Sequence, residues 1–127
     1  MGHLGLLPQT AKGKFKSKGK NVREIKRLLD DAVLLEKNGV FAIVLECVKA
    51  PVAKKITQYL KIPTIGIGSS VYCDGQVLVT DDLIGLNETN IKFVKKFLNL
   101  KSYINLGIKK FASNVRSKKY PTKKYSY

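Results

Sequence analysis

Val40-Phe41-Ala42-Ile43-Val44-Leu45-Glu46 sets six apolar residues in a row directly before a carboxylate. A strand with one face in water alternates apolar and polar residues. An unbroken run of this length instead fits a strand covered on both faces, as in parallel sheets. Parallel neighbours need crossovers, and the flanking sequence has the form of the helices that make them. Over residues 22–38 the apolar side chains fall at 22, 25, 28, 29, 32, 33 and 35, one face of a helix. Asn21 is its N-cap, Glu24 three residues on completes a capping box, and Asn38-Gly39 ends it with glycine in the left-handed position. Beyond the apolar run, residues 51–61 predict a second helix. Pro51 suits its first turn, and Val52, Ile56, Tyr59 and Leu60 share a face.

Further out, Ile62-Pro63-Thr64-Ile65-Gly66-Ile67 predicts a short buried strand ending in Gly68-Ser69-Ser70. After a turn at Asp74-Gly75, Gln76-Val77-Leu78-Val79-Thr80 predicts another, closing on Asp81-Asp82. Residues 1–7 have the form of a strand end already in progress at Met1. A polar loop follows over residues 8–21, with Gly13, Gly19 and lysines at 12, 14, 16, 18 and 20. Helical spacing recurs over residues 91–98 and 103–115, and residues 118–127 form a basic tail. Alternating buried strands and amphipathic helices imply an α/β fold of βαβ units. Four strand ends in so short a span make about half of a (β/α)8 TIM-type barrel, its C-terminal half, whose whole is about 250 residues. Residues 1–117 are the expected half-barrel, with about four parallel strands and covering helices. A small flavodoxin-like sheet is the rival, and the absence of a clean first strand counts against it.

The chain has 127 residues, 44% of them hydrophobic, which suffices for one domain with a core and excludes a disordered composition. No apolar run reaches the roughly 18–20 residues of a membrane span, and the start lacks the form of a secretory signal. The expectation is a cytoplasmic protein with no membrane partner. Cys47 and Cys73 have no metal-type spacing and read as reduced thiols. The net charge of +15 invites a nucleic-acid reading, yet of 24 basic residues only Arg23, Arg27 and Arg116 are arginine. Nucleic-acid surfaces enlist arginine for its bidentate fork. Enrichment in lysine, asparagine and isoleucine is what codon drift in an AT-rich genome produces, so nucleic-acid contact is expected to be non-specific only.

Reactive residues of such folds gather past the carboxyl ends of strands. His3, Glu46, Ser69 or Ser70, and Asp81 or Asp82 all fall there. Glu46 leads, because a carboxylate against an apolar wall has its pKa raised and is a better base near neutrality. An ordinary rim carboxylate paired with a lysine is the alternative. His3 is the only histidine, which excludes a multi-histidine metal site within this chain; it either contacts substrate or is structural. Ser69 and Ser70 can donate to an anion or simply make a tight turn, and Asp82 reads best as a helix cap.

Four segments in register resemble ketopantoate hydroxymethyltransferases (3-methyl-2-oxobutanoate hydroxymethyltransferases). They are Met-Gly-His-Leu-Gly-Leu-Leu-Pro-Gln at 1–9, Ala-Ile-Val-Leu-Glu-Cys-Val at 42–48, Ile-Pro-Thr-Ile-Gly-Ile-Gly at 62–68 and Asp-Gly-Gln-Val-Leu-Val at 74–79. The resemblance implies a barrel of the pyruvate type about twice this length. It implies transfer of a hydroxymethyl group from 5,10-methylenetetrahydrofolate to a 2-oxo acid, in pantothenate synthesis. It implies Mg2+ as a Lewis acid on that oxo acid, with ligands on the first four strands rather than here. By position Glu46 is the base that removes the C3 proton, and His3 lines the same mouth as a substrate-binding residue. Folate-binding residues are not assigned.

This chain departs from the family pattern at Gly13-Lys14-Phe15-Lys16-Ser17-Lys18-Gly19, where a Gly-Gly-(Phe/Tyr)-Lys-Val-Gln-Gly loop is usual. It departs again at Gly68-Ser69-Ser70 in place of Gly-Ala-Gly, and at Asp81-Asp82 in place of a His-Asp pair. An open half-barrel exposes strand edges, so the expected partner is a complementing N-terminal half or a homo-oligomer. The competing readings are an inactive remnant of the same family, or a basic module whose Phe15, Tyr120, Tyr125 and Tyr127 stack on nucleic-acid bases.

Overall fold

The computed structural model describes residues 1–7, 15–88 and 90–127, so the part of the predicted loop at 8–14 lies outside the described residues. Two compact units are present. One comprises residues 1–78 with 91–94, the other residues 79–90 with 95–127.

The first unit is built on β1 (Gly2–Gly5), α1 (Val22–Lys37), β2 (Ile43–Glu46), α2 (Ala50–Tyr59), β3 (Thr64–Ile67) and β4 (Gly75–Gln76). The strands lie in the order β1-β2-β3-β4 and every pair is parallel. That unbroken order is a run of barrel strands. A flavodoxin-like sheet reverses its strand order at a switch point, and no reversal occurs here. The α1 start follows the sequence closely: Asn21 accepts the Glu24 N–H at 2.9 Å. The Glu24 carboxylate takes the N–H groups of Lys20 (2.8 Å) and Gly19 (3.0 Å) instead of the N-cap's own. Those donors, Lys20 first, hold the Glu24 carboxyl below its ordinary range.

Register and pleat divide the sheet into two faces. His3 pairs with Val44 and Val44 with Ile65, while Glu46 pairs with Ile67. These residues share one face, and Leu4, Ile43, Leu45, Thr64 and Gly66 share the other. The second face is closed by α1 and α2: Leu28, Ala32, Val52, Ala53 and Ile56 pack on Ile43 and Leu45. Ile43, Leu45 and Ile56 are fully buried, worth about 1.5–3 kcal/mol each. On the first face Val44, Ile65 and Ile67 are only half-buried. The apolar run at 40–45 implied cover on both faces, and the described residues supply it on one.

Several predicted boundaries move. The strand foreseen at 76–80 is limited to Gly75–Gln76, and Thr80 opens the short helix α3 (Thr80–Leu83) with Asp81 and Asp82 in its first turn. Acidic side chains suit a helix start, where backbone N–H groups are unpaired. Residues 91–98 are not a helix despite their apolar spacing. The Phe97 N–H bonds the Leu83 carbonyl at 2.8 Å instead of a carbonyl one turn back. In the second unit α4 (Leu100–Arg116) exceeds the predicted 103–115 and starts at Asn99, whose side chain accepts the Ser102 N–H. It buries none of its residues. No described helix is long and apolar enough to cross a membrane.

Candidate active site

β1 and β2 end side by side, and their pairing brings the two leading candidates together. His3 Nε2 lies 3.3 Å from Glu46 Oε2. The same nitrogen lies 2.9 Å from the Leu6 carbonyl oxygen, which only accepts, so Nε2 carries the proton. Glu46 is 7% exposed at the very end of β2, one residue inside the strand rather than just past it. The imidazole is more open, with a side-chain exposure of 35%. The carboxylate is buried with one oxygen beside the imidazole, and its second oxygen is available for a proton from outside.

The backbone around Glu46 is unusually constrained. Its carbonyl accepts the Leu6 N–H at 2.9 Å. Gly5, at φ +104°, approaches so closely that a Cβ there would lie 2.1 Å from that same oxygen. Cys47 has φ 53° and bonds Ile67 through its N–H (2.9 Å) and Lys18 through its carbonyl (2.8 Å). Lys18 bridges alongside Val48, which lashes the end of the 15–20 segment to the carboxyl end of β2. Gly5, Cys47 and Lys18 were not singled out from sequence. A glycine inside a strand pattern is a signal of close backbone approach and marks Gly5, but a cysteine gives no sign of a left-handed backbone. Burial, and then the Glu46 charge, push the Cys47 thiol up, which keeps it protonated.

The remaining candidates take quieter positions. Ser69 Oγ donates to the Val48 carbonyl at 3.0 Å, tying the turn after β3 to the chain leaving β2, and Ser70 Oγ accepts the Tyr72 N–H at 3.2 Å within its own turn. Asp82 is not at the cap position, which Val79 holds: it sits within α3, buried, and accepts from Asn87 Nδ2 at 3.0 Å. Phe15 meets Phe93 edge to face at 6.0 Å, and Tyr120 packs between Phe111 and Tyr125, so these rings have partners within the chain. Among the described residues no three His, Cys, Asp or Glu side chains cluster as a metal set. Mg2+ takes an oxygen-rich octahedral shell. One carboxylate beside an imidazole already bonded to a carbonyl does not fit it.

Between β1 and α1, lined also by His3, opens a pocket of about 360 Å³. Its charged lining residues are Lys18, Glu24, Arg27 and Asp31, with Leu4, Leu7 and Leu28 as its apolar wall.

A run of parallel βα units with a carboxylate–imidazole pair at the strand ends defines part of a TIM-barrel enzyme. A family model for ketopantoate hydroxymethyltransferase matches residues 1–123, and the chain belongs to that family. It is similar to 3-methyl-2-oxobutanoate hydroxymethyltransferases of Pelagibacter ubique (58% identical over the whole chain, 49% of the relative) and Carboxydothermus hydrogenoformans (48% identical over the whole chain, 47% of the relative). The Helicobacter pylori relative is 46% identical, again over the whole chain and 48% of its own length. The chain spans about half the length of these curated relatives.

Proposed function

We propose that the chain carries the base of a ketopantoate hydroxymethyltransferase, and that Glu46 is that base. The observation behind the reading is the buried Glu46 carboxylate at the end of β2, with Oε2 3.3 Å from the chain's only imidazole. Glu46 takes the C3 proton of 3-methyl-2-oxobutanoate. The C–H electron pair becomes the C2–C3 double bond, and the ketone oxygen takes up the charge. C3 then forms a C–C bond to the one-carbon unit of 5,10-methylenetetrahydrofolate, whose C–N bonds break. One water supplies the hydroxyl, its remaining proton and the one taken by Glu46 pass to the two freed folate nitrogens, and tetrahydrofolate leaves. His3, its Nε2 bonded to the Leu6 carbonyl, stands beside the carboxylate, and the open part of its ring borders the substrate.

The reaction needs the rest of the barrel, whether on the same polypeptide or another. In the described sheet β1 pairs with β2 alone, and the face bearing His3 and Glu46 is only half covered. Parallel sheets are stable when both faces and edges are covered. The first four βα units are the natural cover.

The test combines this chain with the first four βα units of the Pelagibacter ubique relative and measures ketopantoate formation. Activity is expected only from the mixture, and Glu46→Gln should lower kcat by about 10²–10⁴-fold, the usual worth of a positioned base. Equal turnover by the Gln variant would remove Glu46 from the chemistry.

A further inference from the structure

Phe15, in the loop that follows β1, lies edge to face on Phe93, with ring centroids 6.0 Å apart and planes at 77°. Phe93 falls in residues 91–94, which belong to the same compact unit as the sheet. Its ring rests on Gly68, just past the end of β3, where an added Cβ would lie 2.5 Å from Phe93 Cγ. Only glycine leaves room for it. Three residues beyond Phe15 the loop is tied to the chain leaving β2: the Lys18 N–H bonds the Cys47 carbonyl at 2.8 Å, and the Lys18 carbonyl accepts the Lys49 N–H at 2.9 Å. The two rings therefore sit at the carboxyl end of the sheet. Ile67 pairs with Glu46 about 5 Å away, and Gly68 is one residue further, so Phe93 stands within about 13 Å of the Glu46 backbone. Neither ring belongs to the buried core cluster; Phe15 is 49% exposed and Phe93 half-buried. An edge-to-face contact uses at most one face of each ring and leaves flat apolar surface open. Exposed Lys16 and Lys92 are their immediate neighbours in sequence, and no acidic residue lies within two positions of either phenylalanine.

We propose that Phe15 and Phe93 are the seat of the pteridine ring of the one-carbon donor, and that Lys16 and Lys92 attract the carboxylates of its glutamyl tail. The inference rests on the proposed reaction and names the residues of this chain that hold its folate. The chemistry dictates where that ring must be. The methylene carbon is bonded to a ring nitrogen, and it has to come within about 3–3.5 Å of the C3 whose proton Glu46 takes. The ring therefore lies one small substrate away from Glu46, which is the reach of the aromatic pair. A flat heteroaromatic ring stacks on an open aromatic face, and an anionic tail is drawn by ammonium groups beside it. The two phenylalanines and two lysines supply both.

The full chain is combined with the first four βα units of the Pelagibacter ubique relative. Binding of 5-formyltetrahydrofolate, a stable analogue of the donor, is followed by equilibrium dialysis alongside turnover. Phe15→Leu keeps an apolar side chain at a half-exposed position, so Tm should hold. It should raise Kd for the analogue and KM for the donor on the order of tenfold, with kcat and KM for the oxo acid near their wild-type values. Lys16→Gln with Lys92→Gln should weaken the analogue at low salt and not at high salt. The same pair should leave 6-methyltetrahydropterin, the ring without the tail, bound as before. No binding of the analogue, an equal Kd in wild type and Phe15→Leu, or a loss confined to kcat would each overturn the proposal. So would a Phe15→Leu variant that loses oligothymidine but keeps the analogue, which would give the ring to nucleic-acid bases. A mixture that binds the analogue through Phe15 yet forms no ketopantoate would sink the base chemistry and leave the seat standing.

Discussion

Replacing Gly5 with alanine asks whether the close approach of β1 to Glu46 is real. The new Cβ would lie 2.1 Å from the Glu46 carbonyl oxygen and 2.8 Å from Val48 Cγ2, on a residue whose φ is +104°. Comfortable contacts between such atoms begin near 3.5 Å, so backbone must move by about an ångström. An L residue in that region costs about 1–3 kcal/mol. Displacement of the strand ends also forfeits the Leu6 N–H bond to the same oxygen, about 0.5–1.5 kcal/mol more. The sum, about 2–4 kcal/mol, corresponds in a domain of this size to a fall in Tm of roughly 10 °C or more. Gly39→Ala is the matched control. Gly39 also has positive φ, +83°, but an added Cβ meets nothing within 4 Å, so only the conformational cost of about 1–2 kcal/mol applies. Thermal unfolding followed by far-UV circular dichroism compares the two. Equal losses of Tm would refute the close approach, and with it the account of how the Glu46 backbone is held.

Two further variants address the frame around the site. Asn21→Ala removes the acceptor of the Glu24 N–H and should cost about 1 kcal/mol, read as a lower urea midpoint at unchanged slope. Asp74→Ala strips the Thr64 N–H and hydroxyl of their shared acceptor (2.8 and 3.1 Å) beneath fully buried Thr64, at about 1–3 kcal/mol. The Thr64 N–H holds the Asp74 carboxyl below its ordinary value of 3.8, so the folded value lies under the unfolded one. Its stabilisation is therefore complete above the unfolded value and is lost as pH falls through the folded one. The gap between wild type and Asp74→Ala should be constant from neutrality down to about pH 5 and narrow only in stronger acid. A gap that instead narrowed towards alkaline pH would contradict that linkage.

What the sequence disclosed follows from how locally each feature is encoded. The run at 40–46 marks β2 and its terminal carboxylate because an unbroken apolar stretch ending in a charge is written directly in residue type. Asn21 and Glu24 mark the start of α1 because a cap is made within three residues. Residues 91–98 mislead because helical spacing says nothing of where backbone bonds go, and the Phe97 N–H goes to Leu83. The contact between His3 and Glu46 depends on register across 43 residues of sequence separation, which no local pattern carries. Both were legible as site candidates, but His3 lies within β1 rather than past its end, and the approach of the two was not legible. The left-handed turn at Cys47 had no signal at all, since cysteine is not a residue type that favours it.

The sheet faces explain why the site and the missing cover belong to the same question. Side chains on the helix-covered face, Ile43, Leu45 and Thr64, are fully buried, while their neighbours one residue along, Val44 and Ile65, are half-exposed. His3 and Glu46 stand on the same half-exposed face as Val44 and Ile65, so whatever buries those two also closes the wall around the carboxylate. Two copies of this chain set face to face would bring +15 against +15, a repulsion that low salt makes worse. On this reasoning, self-association of the chain should weaken as ionic strength falls.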